Sequence, residues 1–137
     1  MKTFISFLAA LSMAVAGAGC SKSDTTTSPS TTTSPTTLTF ASQVSVKGGT
    51  SRTFAMTTAG TVKITLVTLG NGTVRAGLGV GLPATAAPCS LAQSVVTLPS
   101  ASPQIITTAD AGTYCVQVFD SGTLTADTEF SVTVEHP

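Results

Sequence analysis

The residues of this 137-residue chain that could carry chemistry are three cysteines, one histidine and six carboxylates. Acyl transfer needs a base beside its nucleophile. The single histidine, His136, stands next to the last residue at a position expected to fray, and no G-x-S-x-G elbow occurs. Glycoside hydrolysis needs two carboxylates across a cleft, and beyond residue 37 the candidates are Asp110, Asp120, Asp127, Glu129 and Glu135. Asp110 and Asp120 sit beside glycines in turns, where Asp bonds nearby backbone, and Glu129 and Glu135 alternate outward on the last apolar run. No catalytic residue is assigned. Asp120 and Asp127 with neighbouring carbonyls have the ligand chemistry for Ca²⁺ but no spacing motif, and zinc would need more ligands than two cysteines. No metal and no cofactor are expected.

Cys20 belongs to a different chemistry. Lys2 supplies a positive start, Phe4 to Ala18 is a short apolar run, and Ala16-Gly17-Ala18-Gly19 is a small-residue exit. That is the pattern of a signal peptide over residues 1–19, and the run is shorter than the ~20 residues of a membrane-spanning helix. Gly17-Ala18-Gly19-Cys20 resembles a bacterial lipobox, which implies cleavage before Cys20 and diacylation of its thiol. Gly17 stands where the motif usually has Leu, so cleavage after Ala16 or Ala18 is the alternative. Each acyl methylene buried in a membrane contributes ~0.8 kcal/mol, enough for two or three chains to anchor a protein stably. Ser21 is not the Asp that resembles an inner-membrane retention signal, so the expected location is the outer membrane, with a periplasmic or secreted form as the alternative.

Residues 20–37 read as a tether. In Ser21–Thr37 thirteen of seventeen residues are Ser or Thr and two are Pro, which cannot offset the entropy of ordering. Fully extended, this stretch spans roughly 55 Å. The remaining residues, 38–137, must supply the single core. With zero net charge and 9% charged residues there is no basic field for nucleic acid.

Period-two alternation begins at Leu38 and Phe40 and returns in every later apolar run. Turn signals fall at Lys47-Gly48-Gly49, Ala59-Gly60, Gly70-Asn71-Gly72, Asp110-Ala111-Gly112 and Ser121-Gly122. Strands are predicted at 61–69 and 73–82, joined as a hairpin by Asn71-Gly72. Residues 83–93 and 99–104 read as loops around a short strand at 94–98, followed by strands near 105–108, 113–120 and 130–134. Seven or eight strands without a helix predict an all-β fold, an antiparallel β-sandwich. Gly77, Gly79 and Gly81 form a stripe without side chains. A twisted or bulged strand closely crossed by a loop is expected there, the alternative being a flat ligand floor.

In an exported domain Cys89 and Cys115 are expected to form a disulfide closing a loop of 26 residues. In the chain-entropy picture this contributes roughly 3 to 4 kcal/mol. Cys115 faces away from the inward row Tyr114, Val116 and Val118, so the bridge should pin the 83–93 loop over the outside of a sheet. Phe119 shares the Cys115 face and is expected to pack against the bridge.

The runs Phe54-Ala55-Met56, Gly60-Thr61-Val62-Lys63-Ile64-Thr65-Leu66 and Ala111-Gly112-Thr113-Tyr114-Cys115-Val116-Gln117-Val118 resemble the bacterial pre-peptidase C-terminal domain over residues 40 to 135. The resemblance implies a jelly-roll-like sandwich and a noncatalytic secretion or binding role. Asp110-Ala111-Gly112-Thr113-Tyr114-Cys115 is similar to the Asp-x-Gly/Ala-x-Tyr-x-Cys corner of immunoglobulin domains. Here Tyr and Cys are adjacent and point to opposite faces, so the inter-sheet core bridge of that family does not carry over. The expected function is a lipid-anchored envelope module that binds an envelope protein or a polysaccharide. The alternatives are a structural or stress-related envelope component without a ligand, and a small secreted hydrolase. The membrane is contacted through the lipid anchor.

The anchor is checked by the intact mass of membrane-extracted protein: the mature chain is expected to begin at acylated Cys20. A chain beginning at unmodified Gly17 or Gly19 removes it.

Overall fold

A computed structural model describes residues 34–137. Cys20, the signal segment and the tether as far as residue 33 lie outside the described residues. The alternating runs form eight strands: β1 (Thr36–Val44), β2 (Gly49–Met56), β3 (Gly60–Leu69), β4 (Ala76–Leu82), β5 (Ser90–Thr97), β6 (Ile105–Ala109), β7 (Gly112–Phe119) and β8 (Thr128–His136). They make two four-stranded antiparallel sheets, ordered β1-β8-β3-β6 and β2-β7-β4-β5. The pairing is nested: β1 with β8, β2 with β7, β3 with β6 and β4 with β5. The chain is thus one long doubled-back ribbon, rolled until β3 also meets β8 and β4 meets β7. This is an antiparallel β-sandwich, the fold class expected from the alternation, with the nested strand order of a jelly roll.

The inward rows close one core. Val62, Ile64 and Leu66 of β3 and Phe130, Val132 and Val134 of β8 pack with Leu78 and Val80 of β4 and Val116 and Val118 of β7. Burying each such side chain contributes about 1.5–3 kcal/mol. Phe40 meets the Phe130 ring edge-on at 6.1 Å. Tyr114 lies half-buried beside Phe54, and its hydroxyl donates to the Asp110 carbonyl at 3.0 Å. That bond back across the turn is the arrangement of a tyrosine corner.

Several local expectations are corrected. β1 begins at Thr36, two residues inside the segment assigned to the tether, because Thr36 and Thr37 pair with His136 and Glu135. Gly70-Asn71-Gly72 does turn the chain, but it closes no hairpin. The positive φ angles fall on Gly70 and Gly72 rather than on Asn71, and Gly70 N–H donates to the β8 carbonyl of Glu129 at 2.8 Å. β3 is already flanked by β8 and β6, so β4 must cross to the other sheet. β5 starts at Ser90 rather than Ser94, since Ser90 and Leu91 register with Leu82 and Gly81. His136 is not frayed: it pairs with Thr36, is 5% exposed and lies 5.6 Å from the Phe54 ring. Its Nδ1 lies 2.8 Å from the Pro137 carbonyl, while Nε2 is buried without a partner.

β6 pairs with β3 only as far as Ile105 opposite Ile64. Beyond that point a side chain continues the sheet. Gln104 Oε1 accepts from Leu66 N–H at 2.8 Å, and Nε2 donates to the Leu66 and Leu98 carbonyls at 3.2 Å. Gln104 N–H donates to the Ile64 carbonyl at 3.0 Å. A partly buried backbone N–H left without its acceptor costs about 1–3 kcal/mol. Gln104→Leu, which keeps the bulk and removes the amide, is expected to lower unfolding free energy by that amount in urea titration.

Candidate functional site

The carboxylates come first, because they are what an enzyme would need. Asp120 ends β7 and turns the chain toward β8. Its Oδ1 accepts from the N–H groups of Gly122 at 2.8 Å, Thr123 at 3.0 Å and Leu124 at 3.1 Å. Its Oδ2 accepts from Lys47 N–H at 2.8 Å, which clamps the β1–β2 turn to the β7–β8 loop. These donors, Lys47 foremost, hold the carboxyl at about 2, well below the usual 3.8. The clamp also accounts for Lys47 adopting φ 59, a left-handed conformation side chains avoid. Asp127 does the same work beside it, accepting from Val46 N–H at 3.1 Å and Ser45 Oγ at 3.4 Å. Both carboxylates whose chemistry would suit Ca²⁺ are therefore occupied by N–H and O–H donors.

The other acids are dispersed. Glu135 pairs with Lys63 at 2.8 Å, with both side chains about 40% exposed, which contributes about 0–1 kcal/mol. Glu129 stands alone on the rim of an open hollow of about 520 Å³ with Ala41, Ser42, Gln43, Thr68 and Ser131. Among the described residues no three His, Cys, Asp or Glu side chains come close enough to hold a metal ion.

Cys89 and Cys115 are joined as a disulfide with Cα atoms 5.9 Å apart, and both are buried. Cys115 is on the outward row of β7, so the bridge holds the segment before β5 against the outside of its sheet. Ser51 on neighbouring β2 adds a hydrogen bond to the Pro88 carbonyl at 3.1 Å. Phe119 departs from expectation: its ring lies over Gly77, where a Cβ would collide with it. Leu91 covers Gly79 in the same way, and the Ser90 carbonyl sits against Gly81 at the bulge between Val80 and Gly81. The glycine stripe is thus a seat for the side chains and backbone of β5 and β7. A ligand floor has no room there.

What remains open is one side of the sandwich. β5 and β6 are edge strands of opposite sheets, and between them runs an apolar slot of about 120 Å³. Phe54, Val62 and Val80 from the core reach its floor, Leu82, Ala92 and Gln93 form one wall, and Thr107 to Ala109 form the other. Leu82 is 57% exposed and Ile106 60% exposed on this side. The 34 residues from Ala76 to Ala109, which build β4, β5 and β6, contain no charged side chain. The opposite side, between β1 and β2, carries Arg52 at the mouth of a crevice with Leu38, Phe40 and Phe54. From sequence Leu38, Phe40, Phe54 and Val62 read as strand positions, and none of these lining residues as part of a site. The signal that would have found the open side was the length of the uncharged run.

No protein-family model matches the chain, and no curated protein is similar to it.

The Asp120 clamp has a definite pH dependence. A carboxyl held below its unfolded value contributes stability that is complete above about pH 4 and is lost as pH falls toward 2. Asp120→Asn is expected to melt below the parent at pH 7, with the difference closing by pH 2. A gap of constant size across that range would show that the charge is not what holds the clamp.

Proposed function

We propose that the chain is a noncatalytic module of the bacterial envelope, anchored by lipid at Cys20, that binds an envelope protein along its open β5–β6 side. The carrying observation is that side itself: an apolar slot with exposed Leu82 in its wall, exposed Val96 and Ile106 on the outward faces of its two edge strands, and no charge in 34 consecutive residues. Exposed apolar surface of this kind marks interaction sites on soluble domains. The likeness of the Phe54, Gly60 and Ala111 runs to the pre-peptidase C-terminal domain points the same way.

A protein partner is favoured over a polysaccharide by the fate of the aromatics. Sugar rings stack on exposed aromatic faces. Here Phe54 and Phe130 are buried, Phe119 is laid on Gly77, and the Tyr114 hydroxyl is tied to the Asp110 carbonyl. A noncatalytic role is favoured over hydrolysis because Asp120 and Asp127 serve the backbone and Glu129 has no second acid beside it in its hollow. β1 starts at the pole that also carries the loops 57–59, 83–89 and 110–111.

Crosslinking of tagged protein in intact cells, with the polysaccharide fraction separated before mass spectrometry, is expected to enrich one envelope protein. Recovery with polysaccharide alone, or of nothing above background, overturns the reading.

A further inference from the structure

We infer that the Cys89–Cys115 disulfide is a redox latch on β5: reduction by a protein dithiol frees β5 from β4 while the rest of the sandwich stays folded. The consequence for binding rests on the reading above, since Ala92 and Gln93 of β5 are part of the slot wall. The latch itself rests on how the chain packs.

From Leu82 to Gln104 the only buried residue is Cys89, at 7% exposed. No side chain between Val80 and Ile105 belongs to the buried core cluster, to which every strand except β5 contributes, and Val95 alone in that stretch packs against it from a half-buried position. β5 is therefore held by its ladder to β4, by Leu91 lying on Gly79 and by the hydrogen bond from Ser51 Oγ to the Pro88 carbonyl. An element with few buried apolar contacts and solvent-exposed hydrogen bonds opens locally at low cost.

The bridge supplies what packing does not. In the order β2-β7-β4-β5, β7 and β5 are not neighbours. Cys115 registers with Gly81, and Gly81 with Leu91, so the bridge ties the chain entering β5 to a strand that β5 does not pair with. The far end of the segment is fixed separately: Ser100 N–H donates to the Leu66 carbonyl at 2.9 Å, and the Gln104 amide bonds Leu66 and the Leu98 carbonyl. Once the bridge is cut, residues 83–97 leave as one loop hinged at Leu98, and the core keeps all of its buried side chains.

Pro83–Pro88, beside Cys89, is exposed throughout and gives the reductant its approach, whereas Cys115 is 0% exposed. A thiolate of the dithiol attacks Cys89 Sγ and forms a mixed disulfide, and Cys115 Sγ leaves as a thiolate that takes up a proton. The second thiol of the dithiol then attacks the mixed disulfide and releases the Cys89 thiol. Two electrons and two protons pass to the cysteines, and the dithiol becomes a disulfide. In an oxidising envelope the latch is closed by default. Opening it gives β4 a free edge and takes away one wall of the slot.

The test compares the full chain purified from the envelope in three forms: oxidised, reduced with dithiothreitol in native buffer, and carrying both Cys89→Ser and Cys115→Ser. Hydrogen exchange in Ser90–Thr97 is expected to be about tenfold faster or more in both unbridged forms, and to return to the parent rate when the reduced chain is reoxidised. Val62–Leu66, Val116–Val118 and Phe130–Val134 are expected to stay within about twofold of the parent. Unchanged exchange in Ser90–Thr97, equal acceleration in every strand, loss of the fold on reduction, or a bridge that dithiothreitol cuts only in denaturant overturns the latch. In crosslinking from intact cells the double variant is expected to lose the protein that the parent enriches. Equal recovery by both overturns the gating of the binding side. If the parent enriches none, the binding reading has failed, and hydrogen exchange still decides the latch.

Discussion

Backbone hydrogen bonding is the constraint from which the rest of this molecule follows. A strand that buries one face in a sandwich must place its N–H and C=O groups on neighbours, because unpaired groups away from water cost as much as a lost hydrogen bond. The chain meets this with nested antiparallel pairs from β1–β8 inward to β4–β5, then rolls the ribbon so that β8 meets β3 and β7 meets β4. Where a strand falls short, a side chain stands in for it, as Gln104 does beside Leu66. Where a loop must reverse direction, a carboxylate gathers the loose N–H groups, as Asp120 does for Gly122, Thr123, Leu124 and Lys47.

That constraint explains how the few charges are used. With so few ionisable groups, the domain spends Asp120 and Asp127 on its distal turns and Lys63 with Glu135 on an exposed pair across β3 and β8. The glycines of β4 answer a packing demand rather than a chemical one. Gly77 and Gly79 admit the side chains of Phe119 and Leu91 onto the outer face, and the Cys89–Cys115 bridge closes the segment between β4 and β5 against the same sheet. The outer face of that sheet is therefore covered from within, and the edge beside it is the part left open.

The same nesting fixes where a partner can approach. In this strand order β5 and β6 end up as edges of opposite sheets on one side, and β1 and β2 on the other. The two sides receive different residues: Arg52 at the mouth of one, an uncharged run along the other. An edge that is both hydrogen-bonding and apolar is a hazard for aggregation unless something covers it. A binding role gives that feature of the chain a reason.

Alternation of apolar and polar residues was enough to specify strands, the sandwich class and the inward rows, because one face of each strand must leave water whatever it pairs with. The spacing of Tyr114 and Cys115 was enough to put the disulfide on the outside of a sheet, since adjacent residues on a strand face opposite ways. Pairing partners were not legible. Asn71-Gly72 signals a turn, but whether the chain turns back onto β3 or across to the other sheet depends on β8 and β6 already occupying both edges of β3. Those strands are remote in sequence. Ser90–Gln93 has no alternation to announce it and becomes strand only because β4 offers it an edge. His136 was read as fraying, yet pairing with Thr36 and stacking on Phe54 bury it. The open side belongs to the same class: its residues come from β2, β3, β4, β5, β6 and β7, and only the roll that brings these strands together makes a slot of them.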